Sequence, residues 1–410
     1  MNNEQLRDLT KHYHSTTPED VVGVSITKKK VDGKLTNEDA VVFTVKKKRP
    51  LDEIPEDELL PSEVEIGGST LRTDVEEGEF DFMEDCPSDF YTWISTAPDN
   101  RNKIRPLQGG ISLTNYTNLG GYVGTLGFLA VDTDTNSLVG VSNNHVLVKN
   151  AFLAPYVDGS GSRINIYENF VTQPNEGGNS GLQNSIGLVK RYVPMSGSPE
   201  YNKVDGALTT INESDISGTT SYRQYGITGW TQPLEFASTA EIDGLVTNKN
   251  NLFSAGRTTG PKGEGDMKLF ASSVATTISI NYNNQGVNET IRFTDCIKFY
   301  ASASTTPAGY ICPYPLYGGD SGSALVADFS GTRKIVGLVF AGQVSNGQTI
   351  YGLANRIDKV AEELSISAWT GNSVYFSNTG TTELHIVSGL SGDINLELSG
   401  NTYWQAGTRT

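Results

Sequence analysis

Cysteine is almost missing from this chain of 410 residues: Cys86, Cys296 and Cys312 are the whole complement, odd in number and without a CxxC spacing. That excludes a disulfide framework and a cysteine-based structural zinc site. Histidine is equally scarce, with His12, His14, His145 and His385 the only imidazoles in the chain. No stretch approaches the ~20 apolar residues needed to span a bilayer, and the opening residues MNNEQLRDLTKHYHSTTPED lack the apolar segment of a secretory signal. The expectation is a cytoplasmic protein, with a phage-particle component or the mature form of an exported protein as alternatives. Basic charge is in deficit: 31 Lys and Arg against 47 Asp and Glu leave a net charge of -16. Such a field repels phosphate backbones and anionic lipid, so neither nucleic acid nor membrane is expected as a partner.

What is abundant is turn and strand material. Apolar residues make up 37% of the chain, Gly counts 44 and Tyr 18, while charged residues reach only 19%. That balance predicts a mainly β fold with many short strands, and the length predicts more than one core. Residues 1–85 read as a small α+β domain: a polar helix over the first twenty or so, then VVGVSIT (Val21 to Thr27) and DAVVFTV (Asp39 to Val45), which are expected to form a sheet of their own. Residues 86–105 hold prolines and no sustained periodicity, which marks a linker. From Pro106 to residue 365 short apolar runs are cut by Gly, Asn and Asp, as in GTLGFLAVD, LVGVSNNHVLV and KIVGLVFAG, which predicts two antiparallel barrels over 106–215 and 216–365. Ile357, Val360, Ala361 and Leu364 share one helical face and predict a closing helix. Residues 366–410 return to alternation and read as a β appendage.

The most specific stretch is Tyr317-Gly318-Gly319-Asp320-Ser321-Gly322-Ser323-Ala324-Leu325. Glycines around a serine let the backbone turn tightly, so that the hydroxyl is presented and the amides of Gly319 and Ser321 point at one spot. Two converging amides form an oxyanion hole, in which the loss of one donor typically costs ~3 kcal/mol of transition-state stabilisation. The bland alternative is a glycine-rich turn. A serine nucleophile also needs a base, and only His145 lies inside the predicted β body, at the end of GVSNNHVL. The third member must be a carboxylate that orients the imidazole. Asp205 interrupts the apolar strand KVDGALTTI, where an ionised group needs a partner, whereas Asp158, Asp215 and Asp243 lie beside turns.

The chain order is therefore His145, Asp205, Ser321. An α/β-hydrolase would run Ser, acid, His and carry GxSxG before a helix, but position 323 is Ser and a strand follows. This order and the Gly319-Asp320-Ser321-Gly322 motif resemble the chymotrypsin-fold (trypsin-like) serine proteases. Asn143-Asn144 stands where that family usually carries small residues. More narrowly, PLQGGISL, SNNHVL, SAGRTTG and GGDSGSAL behind a domain rich in VVFTVKKK resemble the bacterial and phage peptidases related to the plant narrow-leaf protein, over the chain to about residue 365. The resemblance implies two six-stranded barrels and a serine endopeptidase that uses His145, Asp205 and Ser321, with Gly319 and Ser321 as oxyanion donors. It also implies a side-chain pocket built by Pro315 and Leu316 and walled by Phe340, Ala341 and Gly342. No RIVGG-like cleavage site precedes the first barrel, so Asp320 is expected to have a partner other than a new amino terminus.

Other signals carry less. Asp132-Thr-Asp134-Thr-Asn136 begins like a calcium loop but has Ser137 at position six and Asn143 at position twelve, so a hairpin turn is the better reading. The Gly256–Gly263 run lacks GK[ST] and reads as a tight connection. No metal or cofactor is expected. The expected partner is a protein or peptide substrate, with a homo-oligomer left open. The rival to an enzyme is a protease-fold scaffold or interaction module.

Overall fold

The computed structural model describes residues 3–31, 34–82, 99–115, 123–148, 170–174, 184–216, 224–227, 230, 233–264, 267–284, 287–302, 314–345 and 348–370. Cys86, Cys312, Asp158, His385 and nearly all of the expected C-terminal appendage lie outside these.

The first barrel is built from β6 (Ile111–Asn115), β7 (Val123–Leu126), β8 (Phe128–Asp132), β9 (Ser137–Ser142), β10 (Phe170–Thr172), β11 (Ser185–Tyr192) and β13 (Ala207–Thr210). β7 and β8 are halves of one strand bent at Gly127, whose amide donates to the Val141 carbonyl at 2.8 Å. Counted that way, the ring runs first, second, third, sixth, fifth, fourth strand and back to the first. The second barrel uses β14 (Leu252–Gly256), β16 (Leu269–Asn284), β17 (Val287–Ala301), β18 (Ala324–Phe329), β19 (Thr332–Ser345) and β20 (Gln348–Arg356). Its pairings close in the same order. Two closed six-stranded rings of identical connectivity are the double antiparallel barrel of the chymotrypsin type. Closure removes exposed edges, so each barrel buries its polar backbone within itself. The calcium-loop-like and phosphate-loop-like segments are both tight turns, the first between β8 and β9, the second between β14 and β15 (Gly260–Lys262).

The cores follow the alternation seen in the sequence. Leu113, Leu126, Leu138, Val171 and Ile186 fill the first barrel. Leu252, Leu269, Ile297, Leu325 and Leu338 belong to a larger cluster that fills the second and reaches Val139 and Val141 of the first. After β20 the expected helix closes the barrel (Ile357–Glu363), with Ile357, Val360 and Leu364 buried. β21 (Ile366–Ala368), at the start of the expected appendage, then pairs with β8 of the first barrel.

The N-terminal strands correct one expectation. β1 (Val21–Val31), β2 (Lys34–Val45), β3 (Glu63–Ile66) and β4 (Ser69–Glu77) do not close into a sheet of their own: β1 pairs with β2 on one side and with β16 on the other. The reason lies in the length of β16, which offers an open edge to a neighbour with matching alternation, and an edge so covered no longer invites another chain. The helix α1 (Asn3–Thr16) packs over this junction, with Thr10 and His14 buried. β5 (Glu79–Asp81) leaves the N-terminal sheet and pairs with β19. The end of the expected linker is packed too: Asn100 is fully buried and its side chain donates to the carbonyls of Gly110 (2.8 Å) and Gly256 (2.9 Å).

Candidate functional site

His145 sits on a single helical turn (Asn144–Leu147) that directly follows β9. The two asparagines before it act as struts. Asn143 Nδ2 donates to the Asp205 carbonyl at 2.7 Å, and Asn144 Nδ2 to the Val193 carbonyl at 2.6 Å. Both side chains are fully buried. The departure from small residues at these positions thus has a structural use: it ties the histidine turn to the segment that carries the carboxylate.

Asp205 is fully buried just before β13 and meets His145 twice. Its Oδ1 accepts the His145 backbone amide at 3.1 Å, and its Oδ2 forms a short contact with His145 Nδ1. A buried carboxylate held this way fixes which ring nitrogen carries the proton. The backbone amide of Asp205 is held in turn by Asn355 Oδ1 at 2.9 Å, across from the second barrel. Nothing local in the sequence singles out Asn355, because its role exists only where the two barrels meet.

Ser321 lies in the turn before β18, with φ of +90° at both Gly319 and Gly322. At Gly319 a side chain is excluded twice over, by that backbone conformation and by the Thr258 hydroxyl, which a Cβ would meet at 2.6 Å. The Gly319 carbonyl accepts from Thr125 Oγ1 at 2.8 Å, and the Ser321 carbonyl from the Thr125 amide at 2.8 Å, so the turn is pinned to the first barrel. Among the described residues, neither the Gly319 nor the Ser321 amide donates to a partner.

Asp320 has the partner that the lack of an activation site called for. Its carboxylate accepts from the amides of Thr258 (2.8 Å), Thr259 (3.0 Å) and Tyr317 (2.9 Å) and from the Thr259 hydroxyl (2.7 Å). Four donors saturate it, and the turn after β14 takes the place of a free amino group.

The predicted pocket residues divide between two clusters. Pro315 is buried, and Leu316 is buried in the second-barrel core, while Phe340 and Ala341 pack with Phe293 and Leu353. Gly342 lies next in β19, paired with Asp81. The stretch 303–313 lies outside the described residues. Two acids of the second barrel, Asp295 and Glu289, face other groups: Asp295 forms an ion pair with Arg7 at 3.4 Å, and Glu289 lines a cavity beside His14.

One participant has no signal in the sequence at all. Phe82, only 1% exposed, sets its ring 4.9 Å from the His145 ring, and its carbonyl accepts the Ser321 hydroxyl at 3.0 Å. No hydrogen bond joins Ser321 to His145 in this arrangement.

No protein-family model matches the chain, and no characterised protein matches it by sequence. Similar solved structures include a glutamic acid specific serine protease described as using a histidine triad in substrate binding, with 14% identity, 64% of this chain and 100% of that one covered, and a TM-score of 0.36. Protease A of Thermobifida fusca gives 14%, 64%, 98% and 0.36. A Nocardiopsis protease gives 16%, 64%, 98% and 0.37. At these values the likeness adds nothing to the strand order described above.

Proposed function

We propose that the chain is a serine endopeptidase that cleaves peptide bonds through an acyl-enzyme. The observation that carries this reading is the doubly bonded pair of His145 and Asp205 brought close to the glycine-flanked Ser321, since Phe82 sets its ring on that histidine and its carbonyl on the Ser321 hydroxyl. With Nδ1 committed to the carboxylate, Nε2 is the nitrogen left to take the Ser321 proton as the hydroxyl attacks and to hand it to the leaving amine. Asp205 stabilises the imidazolium formed on the way. The amides of Gly319 and Ser321 hold the oxyanion, and the saturated Asp320 keeps their turn in shape.

Specificity follows from charge. Between Thr305 and Gly319 there is no acidic residue, so a Lys or Arg side chain would be desolvated without a counter-charge. The pocket beside Pro315, Leu316 and the Phe340–Gly342 wall takes an apolar or small side chain. Within the wider fold, the motifs PLQGGISL, SNNHVL, SAGRTTG and GGDSGSAL support a narrower reading, kinship with the bacterial and phage peptidases related to the plant narrow-leaf protein.

A fluorophosphonate probe tests the reading: it should label the wild type and not Ser321→Ala. The scaffold reading has one observation in its favour, the engagement of the Ser321 hydroxyl by Phe82 rather than by His145. Absence of labelling both in the wild type and in a folded variant that frees the Ser321 hydroxyl from Phe82 would establish that reading instead.

A further inference from the structure

Glu79–Phe82 meets the serine centre in three ways at once. β5 adds to β19 as an antiparallel strand, with Asp81 opposite Gly342, Phe80 opposite Gln343 and Glu79 opposite Val344. Strand addition to a sheet edge is a general way to bind an extended peptide, in which the main chain supplies affinity and alternate side chains supply selectivity. The next residue then delivers its carbonyl to Ser321 Oγ at 3.0 Å and its ring to the imidazole at 4.9 Å. Tyr282 and Phe293 hold the other sides of that ring at 5.7 and 6.1 Å between centroids.

We propose that Glu79–Phe82 is an internal pseudosubstrate, a stretch of the chain's own backbone that occupies the peptide-binding edge of the second barrel and keeps the serine centre latent until it is displaced. The proposal rests on the endopeptidase reading above and adds regulation to it. Two details make the segment an inhibitor rather than a substrate caught before cleavage. The Ser321 hydroxyl donates to the Phe82 carbonyl, so its proton is directed away from the imidazole that must accept it. Neither the Gly319 nor the Ser321 amide, among the described residues, binds that carbonyl, so the oxygen does not occupy the oxyanion position.

The tether favours the closed state. Gly78 donates its amide to the Val45 carbonyl at 3.0 Å, one residue before β5 begins. The segment is therefore presented from a sheet already fixed to the barrel, and its docking is intramolecular, at high effective concentration. The same geometry names the substrate class: an extended peptide with a bulky apolar side chain where Phe82 lies on His145.

The experiment compares fluorophosphonate labelling rates in the full-length chain, Asp81→Pro, Phe82→Gly and Ser321→Ala. Proline at the exposed position 81 removes a backbone donor from the strand without removing any core side chain. An open state populated at ~1% predicts labelling on the order of 100-fold faster once the segment is released. The synthetic peptide Glu77–Met83, added to the Asp81→Pro protein, should return labelling toward the wild-type rate. Release should also appear as faster amide hydrogen exchange at Gly342–Val344. If the wild type labels and Ser321→Ala does not, but both segment variants label at the wild-type rate, the pseudosubstrate is overturned and the endopeptidase stands. If no variant labels while all remain folded by circular dichroism, both are overturned.

Discussion

Two regions of the molecule bury a histidine within a chain of hydrogen bonds, and they are built differently. In the cleft between the barrels, His145 rests on the carboxylate of Asp205. In the seam where α1 crosses the second barrel, His14 Nδ1 meets the Tyr201 hydroxyl at 3.0 Å and Nε2 meets the Ser279 hydroxyl at 3.1 Å. Their exposures, 3% and 4%, are the same for any purpose. Burial therefore does not separate the histidine of the proposed triad from a structural one here. What separates them is the charge of the partner. His145 has an anion to stabilise an imidazolium. His14 has a phenol, and its pKa is lowered to about 4, first by burial and then by the nearby Arg292 charge. The seam sets the His14 ring between a phenol and a serine hydroxyl, yet the ring carries no second proton at neutral pH.

The sharpest way to break the comparison is to remove the chemistry from the cleft. Ser321→Ala and His145→Ala should each reduce peptide turnover, measured in a protein released from its Glu79–Phe82 segment, by a similar factor on the order of 10⁶, because such groups act as a unit. Asp205→Asn should cost on the order of 10⁴ through the wrong imidazole tautomer. If Asp205→Asn kept near-wild-type turnover with this fold, the carboxylate would not be the feature that distinguishes the two histidines.

The seam should respond in stability instead. There Lys298, 1% exposed, places Nζ 2.5 Å from Glu76 Oε1 and 4.1 Å from the centre of the Tyr351 ring, joining β4 to the barrel. Burial by itself would raise the Glu76 carboxyl. The Lys298 ammonium and hydrogen bonds outweigh burial and leave it below its ordinary value. Lys298→Met strands that carboxylate and should cost about 3–5 kcal/mol in urea unfolding. A loss under about 1 kcal/mol would show that the N-terminal sheet is held by its β1–β16 pairing alone.

What the sequence made legible follows the range of each interaction. The strands and the closing helix were readable because alternation and the 3.6-residue period are local. The candidate triad of Ser321, His145 and Asp205 could be named because glycine spacing, scarcity of histidine and an acid within an apolar run are all visible along the chain. Asn355 and Phe82 were not, since each owes its place to a neighbour far away in sequence: Asn355 to Asp205 across the barrels, Phe82 to Ser321 and His145. The fate of β1 was hidden for the same reason, because nothing in VVGVSIT says that its partner is β16 rather than a strand nearby. His14 shows the converse error, a residue set aside as part of a polar helix that proves to be buried.

His14 also offers the smallest and most selective test. Above pH 6.5 its ring is neutral in both the folded and the unfolded chain, so the full stability is present. As pH falls from 6.5 toward about 4, the unfolded chain binds a proton that the folded chain refuses, and folding loses free energy; below about 4 both states bind it and the loss stops growing. Between pH 7.5 and pH 4.5 this one group should destabilise the protein by about 2 kcal/mol. Carboxylates titrate in the same interval, which is why the informative quantity is a difference of differences. The urea midpoint of the wild type and of His14→Gln would be measured at both pH values. Glutamine can still donate to or accept from the Tyr201 and Ser279 hydroxyls and cannot take the proton, so the variant should lose about 2 kcal/mol less on acidification. Equal losses in the two proteins would mean that the His14 ring accepts its proton in the folded state, and that a phenol and a hydroxyl can support an imidazolium in the seam as a carboxylate does in the cleft.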